Sequence, residues 1–226
     1  MSVPREPSRD SSPLRSIPAA RRTLIERIVA VRGARAGMRA RAGLRQKFLR
    51  AYFRGVAEED LAQRQPEELA GAALEHLEFG SRTRRPGEAL VKVFNPDLTR
   101  DGFQSQHTLV MVVTDDMPFL VDSLGIVFSQ AEIAVHLIVH PVLAVARDGR
   151  GRMTGVRVER APGEHAESWQ LYEIDRQTDP ARLADLEDKL ILALRDVRLA
   201  VADWRPMRWR SRTAKKYRTT VRASRA

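Results

Sequence analysis

Residues 108–123 constrain the fold more than any other part of the sequence. They begin with TLVMVVT (108–114), an apolar, Val-rich run of the kind that is typical of a buried strand. Asp115 and Asp116 end this run, and Pro118 follows where a helix can begin, because the first turn of a helix tolerates proline. Either aspartate could accept hydrogen bonds from the unpaired N–H groups of that first turn. A second apolar run follows at 133–145, so the sequence predicts a β-α-β unit.

The positive charge of the chain is concentrated at its two ends. The formal net charge is +10, of which residues 1–60 carry +8, residues 205–226 carry +9 and residues 61–204 carry −7. A basic end can favour contact with nucleic acid or with an anionic membrane. However, the chain has 34 Arg and only 5 Lys, and an arginine bias of this size with abundant Ala is also typical of a GC-rich coding genome. We therefore do not expect nucleic acid to be the partner.

Cysteine usage and hydropathy exclude further classes. The sequence has no cysteine, which rules out disulfides and thiolate metal sites and fits a cytoplasmic, reducing compartment. It has no run of about 18 apolar residues, so we expect no membrane-spanning helix. Residues 1–20 lack the apolar stretch of a signal peptide.

The spacing of apolar residues predicts an α+β protein. We expect a disordered N-terminus at 1–20, a helical segment at 21–87, an α+β domain at 88–204 and a disordered basic tail at 205–226. The α+β domain should hold one mostly antiparallel sheet with its helices packed on one face. Its expected strands are 90–94, 108–114, 133–145, 153–160 and 168–174, and its expected helices are 118–131 and 180 to about 201. Asp179 is the expected N-cap of the last helix.

Few residues in this sequence point to chemistry. His136 and His140 are four residues apart on a predicted strand, which separates them by about 13 Å, so they cannot share one metal ion. No glycine-rich cofactor loop and no catalytic constellation stand out, so we expect no catalytic, cofactor-binding or metal-binding residues. The remaining candidate is the strand-to-helix turn of Asp115, Asp116, Met117 and Pro118. Its carboxylates could simply cap the helix, or the free N–H groups could bind a carboxylate or another anion.

Several short strings resemble a known family. They are DDMPFLVDS (115–123), HLIVHPV (136–142), RD (147–148), ESW (167–169), EIDR (173–176) and DWRPM (203–207), with YF (52–53), LAGAA (69–73) and RPG (85–87) upstream. Together they resemble the N-terminal region of the large bacterial NAD-specific glutamate dehydrogenases. The resemblance covers roughly residues 44–210.

The resemblance implies a regulatory role in amino-acid metabolism. In that family this region resembles ACT domains, ferredoxin-like β-α-β-β-α-β modules that often bind amino acids and regulate an attached enzyme. The dehydrogenase domain that oxidises glutamate to 2-oxoglutarate lies far downstream, so this chain should bind no NAD. The implied partners are the catalytic part of the same enzyme or other subunits in a homo-oligomer, with an amino acid as a candidate effector at the turn of Asp115–Pro118.

Two features depart from the family's pattern. Amino-acid-binding ACT domains commonly place a glycine just after the proline of this turn, and here Phe119 would fill that space with its ring. No clear strand follows the last helix, so we expect the early strand 90–94 to complete the sheet instead. The stretch from Ser211 to Ala226 also leaves the pattern, as a frameshift, a premature stop or a gene-model error would cause.

Two other functions remain open from the sequence. The chain could be a stand-alone ACT-like module that binds a small molecule. It could also be a basic nucleic-acid-binding protein that uses both termini, in which case its affinity should fall steeply with salt.

Overall fold

The computed structural model describes residues 17–31, 42–157 and 165–223. Its strands are β1 (Leu90–Phe94), β2 (Thr108–Asp115), β3 (Val135–Val139), β4 (Val142–Arg147), β5 (Met153–Arg157) and β6 (Ala166–Ile174). Its helices are α1 (Ala19–Ala30), α2 (Ala42–Phe53), α3 (Glu58–Ala62), α4 (Pro66–Gly80), α5 (Leu98–Asp101), α6 (Leu120–Gln130) and α7 (Pro180–Ala223). The predicted α+β class is confirmed.

The strands form one antiparallel sheet in the order β1-β2-β6-β4-β5, and β3 pairs with the same edge of β6 as β4 does. The chain leaves β2, crosses β6 through α6 and returns as β3, so the predicted β-α-β unit has β6 between its two strands. β1 pairs with the other edge of β2, where Leu90 lies opposite Val113. The early strand therefore completes the sheet, as expected.

The predicted strand at 133–145 is interrupted at His140 and Pro141, and it forms β3 and β4. Proline cannot donate a hydrogen bond to a neighbouring strand, which explains the interruption. A bulge between Val135 and Leu137 also shifts the register against β6. As a result Val135 packs on one face of the sheet and Leu137 on the other, although residues two positions apart in a regular strand share a face.

α6 and α7 cover one face of the sheet, as predicted. α6 buries Leu120, Leu124 and Phe128, and α7 buries a longer row of apolar residues, against Val110 and Val112 of β2 and Tyr172 and Ile174 of β6. The row on α7 is Leu186, Leu190, Leu194, Val197 and Val201.

The opposite face of the sheet is covered by α1–α4, so our expectation of a face without helices was wrong. β2 is buried at every position from Thr108 to Thr114, and a strand that is apolar throughout is typically buried on both faces. Trp169 of β6 lies at the centre of this second layer. Its ring contacts Phe48 at 5.5 Å and His76 at 5.1 Å between centroids. At Gly80, a Cβ atom would lie 2.3 Å from Cη2 of Trp169, so only glycine fits there.

The helical segment and the sheet share one hydrophobic core. A single cluster of buried residues includes Ile25 of α1, Phe48 of α2 and Leu69 of α4 together with Met111 of β2 and Leu171 of β6. The segments at 21–87 and 88–204 therefore pack against each other. Their division into two domains stays a prediction.

The last helix is longer than the sequence predicts. α7 continues to Ala223, whereas we expected a helix to about Val201 and a disordered tail at 205–226. The apolar periodicity ends near Val201, but residues beyond it are rich in Arg, Ala and Lys, which have high intrinsic helix propensity. Three parts of our predictions lie outside the described residues. They are residues 1–16 of the expected disordered N-terminus, residues 158–160 of the expected strand, and residues 224–226 of the expected tail.

Within the described ranges, no helix is both long enough and apolar enough to cross a membrane.

His76 makes the stability of the fold depend on pH. It is completely buried, and its Nδ1 lies 2.7 Å from the hydroxyl of Tyr52. Burial lowers the pKa of His76 from 6.5 to about 3. Because the unfolded chain binds a proton at this residue and the folded chain does not, the free energy of unfolding should fall as the pH drops below 6.5, by about 1.4 kcal/mol per pH unit.

This dependence can be measured by urea unfolding between pH 7.5 and 5. That window lies above the range in which Glu167 and Asp115, whose pKa values are lowered, become protonated. We expect His76→Gln to reduce the dependence, of which His140, whose pKa is also lowered by burial, retains a part; His165→Gln, at an exposed histidine, is the control. Equal slopes for the H76Q variant and the unmodified chain would contradict this assignment.

Candidate functional site

The candidate turn at Asp115–Pro118 does not cap α6. The helix begins at Leu120, and its N-cap is Phe119, which makes no side-chain capping hydrogen bond. The prediction that Asp115 or Asp116 caps this helix was therefore wrong. At the start of α7, in contrast, the side chain of Asp179 accepts a hydrogen bond from the N–H of Ala181 at 2.9 Å, as expected of an N-cap.

Phe119 adopts a left-handed backbone conformation with φ of 71°, which glycine adopts more readily. Its side chain is 54% exposed. Asp116 and Pro118 beside it are also exposed, while Met117 packs against the core between α6, α7 and the sheet. The turn thus presents Asp116, Pro118 and Phe119 at the surface and keeps Met117 inside.

Asp115 instead joins a network of ion pairs. Its Oδ1 accepts a hydrogen bond from Arg84 at 2.8 Å, and its Oδ2 accepts from Arg198 and from the N–H of Gly87, both at 2.9 Å. Burial raises the pKa of Asp115, but the hydrogen bonds from Arg198 and Arg84 outweigh burial and hold the pKa below its ordinary value. The carboxylate therefore connects the end of β2 with the loop before β1 and with α7.

Glu167 is the centre of this network. It is 2% exposed and accepts hydrogen bonds from Arg84 Nη2 at 2.7 Å, from Arg147 Nε at 2.7 Å and from Trp169 Nε1 at 3.2 Å. Burial alone would raise its pKa, but the hydrogen bonds from Arg147 and Arg84 lower the pKa below its ordinary value. A buried carboxylate is tolerated when its oxygens are paired in this way.

The two arginines also bind backbone carbonyl groups of the surrounding loops. Arg84 Nη1 donates to the carbonyl of Glu88 at 2.8 Å. Arg147 donates to the carbonyls of Gly80, Arg82 and Gly151 at 2.9 to 3.0 Å. The network therefore joins the end of α4 and the loop after it to β4, β6 and the β4–β5 hairpin.

The sequence did not identify Arg84, Arg147 and Arg198 as members of one site. Glu167 stood in the ESW string, next to the expected strand 168–174, whose residues Trp169 and Ile174 pack on opposite faces of the sheet. The carboxylate of Glu167, next to a run of fully buried residues, was a signal that it has a buried cationic partner. This signal could not show which of the 34 arginines of the chain is that partner.

His136 and His140, which we predicted to lie too far apart to share a metal ion, bind different groups. His136 Nε2 lies 2.8 Å from Asp175, and His140 Nε2 lies 2.8 Å from the hydroxyl of Ser168. Ser168 continues into a buried chain of hydrogen bonds through Gln170 to the hydroxyl of Tyr172. In the part of the chain that the structure describes, no cluster of three or more His, Asp or Glu side chains could hold a metal ion.

Comparisons with known proteins agree with the motifs. The family model described as glutamate dehydrogenase, ACT1 domain, matches residues 48–190. The NAD-specific glutamate dehydrogenase of Halomonas elongata is 40% identical over 169 residues, and that of Pseudomonas aeruginosa is 32% identical over 167 residues. These alignments cover 74% and 73% of this chain, but the chain spans only 10% of the length of each relative. No solved structure matches the chain.

Glu167→Gln should strongly destabilise the fold. The amide would leave the guanidinium of Arg147 without a counter-charge and would leave Arg84 with Asp115 alone, and breaking a buried ion pair in this way costs about 3–5 kcal/mol. Asp116→Asn is the control, because Asp116 is exposed and should change the free energy of unfolding by less than about 0.5 kcal/mol. Urea unfolding measures both variants, and similar midpoints for the two would show that Glu167 does not organise the fold.

Proposed function

Because the chain belongs to the family of the glutamate dehydrogenase ACT1 domain, we propose that it is a regulatory or scaffolding segment of a large NAD-dependent glutamate dehydrogenase. The observation that carries this proposal is the family match over residues 48–190, from α2 into α7. Both relatives are named NAD-specific glutamate dehydrogenases, and the part of them that matches is a tenth of their length. In this proposal the oxidation of glutamate to 2-oxoglutarate and the binding of NAD belong to the rest of such an enzyme.

The pairing of the charged residues supports a structural rather than a catalytic role. The RD, ESW and DD strings contribute Arg147, Glu167 and Asp115 to one network, in which they bind each other and Arg84. The two arginines of this network, Arg84 and Arg147, fix loops to the sheet by donating hydrogen bonds to main-chain carbonyls. A segment held in this way suits a role in contacts between parts of the enzyme.

We place the contact surface at the outer edge of β3. On the opposite side of the sheet, the N–H of Val93 in β1 donates to the side chain of Glu187 at 2.9 Å, which blocks that edge. Within the described chain, β3 pairs with β6 alone. Ile138 and Val142 beside this edge are each 43% exposed, and an apolar strand edge of this kind favours pairing with another strand.

A groove of about 460 Å³ adjoins this edge. Residues of the helical layer line one side of it, including Ile17, Tyr52 and Val56, and Ile138 and Pro141 line the other. The strand edge supplies backbone hydrogen-bonding groups and the groove supplies apolar surface, which together fit a segment of another subunit.

We propose that an amino-acid effector binds at the turn of Asp115–Pro118. Asp115 contributes less to this binding than we expected from the sequence. Because Asp115 is engaged by Arg84 and Arg198, an amino acid would place its ammonium group at Asp116. Its carboxylate would accept hydrogen bonds from the N–H groups at the start of α6. The exposed ring of Phe119 would lie against its side chain.

The effector proposal predicts saturable heat when the chain is titrated with glutamate in a calorimeter. Asp116→Asn should weaken this binding about ten-fold, because one charge-assisted hydrogen bond is lost. Glu132→Gln, at an exposed position beyond the other end of α6, should leave it unchanged. No heat and no thermal shift with any amino acid would remove the effector and leave the scaffolding role in place.

The contact surface predicts that the chain associates with itself through β3. Ile138→Asp would place a charge in the interface, so it should weaken self-association about ten-fold or more in sedimentation velocity measured over a series of concentrations. Ile126→Asp is the matched control, because Ile126 is 56% exposed on α6, away from the β3 edge.

A monomer at all concentrations, or equal effects of I138D and I126D, would contradict association through β3. The same samples can be assayed for glutamate-dependent formation of NADH. We expect none, and clear activity would contradict the proposal that this segment is not catalytic alone.

A further inference from the structure

A cleft of about 470 Å³ lies at the end of the sheet opposite to Asp115. Its inner surface includes Glu173 of β6, which is buried, and Arg64, Glu68, Ser105 and His107 stand at intermediate depth around it. A second cleft of about 490 Å³ adjoins it and shares Glu68 and Ser105. Pockets of this size hold small metabolites. Neither cleft includes the turn at Asp115–Pro118, and His136 of β3 lines the first cleft.

The guanidinium of Arg64 is already engaged by the protein. Its Nε donates to Glu173 at 2.7 Å, Nη1 donates to the carbonyl of Asp60 at 2.9 Å, and Nη2 donates to the carbonyl of His136 at 2.8 Å. All three nitrogens thus hold α3, β3 and β6 together. Arg64 therefore neutralises Glu173 and does not provide an open fork for an anionic ligand.

This arrangement leaves a negative charge in the cleft at Glu68. Glu68 forms no ion pair with the described residues, and Oε1 of Glu173 likewise accepts no hydrogen bond from them. Burial and the negative charge of Glu173 raise the pKa of Glu68, and they outweigh His107 and Arg64, which lower this pKa. An ammonium group placed between the two carboxylates would relieve this repulsion and donate a hydrogen bond to each of them.

Two imidazole rings also line the cleft, and Nδ1 of His107 lies 3.9 Å from Oε2 of Glu173. The rings of His107 and His136 have centroids 4.6 Å apart and are tilted by 39°. His136 is held in place by Asp175 at 2.8 Å. Ring faces favour the methylene groups next to an ammonium group, and the glutamines at the rim offer further oxygen acceptors.

We propose that this cleft binds a small organic cation through a primary ammonium group held between Glu68 and Glu173. The same chemistry is present in a short aliphatic diamine and in the side chain of free lysine. Binding here is independent of the proposed effector turn, which would take the carboxylate of an amino acid at the other end of the sheet.

Titration of the full chain with putrescine and with lysine, followed by calorimetry, tests this proposal. We expect one ligand per chain, and Glu68→Gln should weaken its affinity about ten-fold. Glu67→Gln is the matched control, because Glu67 lies in the same first turn of α4, is exposed and does not line the cleft. Thermal melting of both variants checks that they remain folded.

The two ligands distinguish the sources of the ammonium group. Tighter binding of putrescine would identify an amine, and tighter binding of lysine would identify an amino acid, and both results support the site. No saturable binding of either ligand at millimolar concentration would overturn the proposal. Equal weakening by E67Q and E68Q would also overturn it, because surface charge alone would then explain the binding. Glutamate binding that is sensitive to D116N but not to E68Q would report on the effector turn only.

Discussion

The position of the buried carboxylate of Glu167 between Arg84 and Arg147 is the constraint on which the rest of the structure depends. Glu167 and Arg84 are buried and Arg147 is partly buried, and each charge would be costly there without the others. Because the arginines come from the loop after α4 and from β4, pairing them with β6 fixes the helical layer against the sheet. Asp115 extends the same network to α7, so one set of ion pairs links both layers of helices.

This constraint separates the structural part of the molecule from the surfaces that remain for binding. The recognised motifs build the ion network, which explains why the family's pattern is found in a segment that we propose is not catalytic. The binding candidates lie elsewhere: at the turn before α6, at the outer edge of β3, and in the cleft beside Glu68 and Glu173. The turn and the cleft lie at opposite ends of β2 and β6. In our proposals the turn binds both the ammonium group and the carboxylate of an amino acid, whereas the cleft binds an ammonium group alone.

Local patterns in the sequence predicted the strands and the helices of the sheet domain, including β1 as the completing strand and Asp179 as a helix cap. These features depend on neighbours in sequence, such as the apolar run 108–114 or the Asp-Pro pair at 179–180. The sequence did not predict that α1–α4 cover the second face, although the apolar run of β2 on both faces was a signal for it. It also could not pair Glu167 with Arg84, because residues 83 positions apart meet only through the sheet topology. Asp115 looked like a cap for the same reason, since its arginine partners are distant in sequence.

Native-state hydrogen exchange of the full chain tests most directly whether the network unites the two helical layers and the sheet. We expect the core amides of α4, β2 and β6 to exchange together, at the free energy of global unfolding, because breaking the ion pairs requires the layers to separate. If α1–α4 exchange at a clearly lower free energy while β2 and β6 stay protected, the helical layer unfolds independently. In that case the Glu167 network would not be the interaction that holds the fold together.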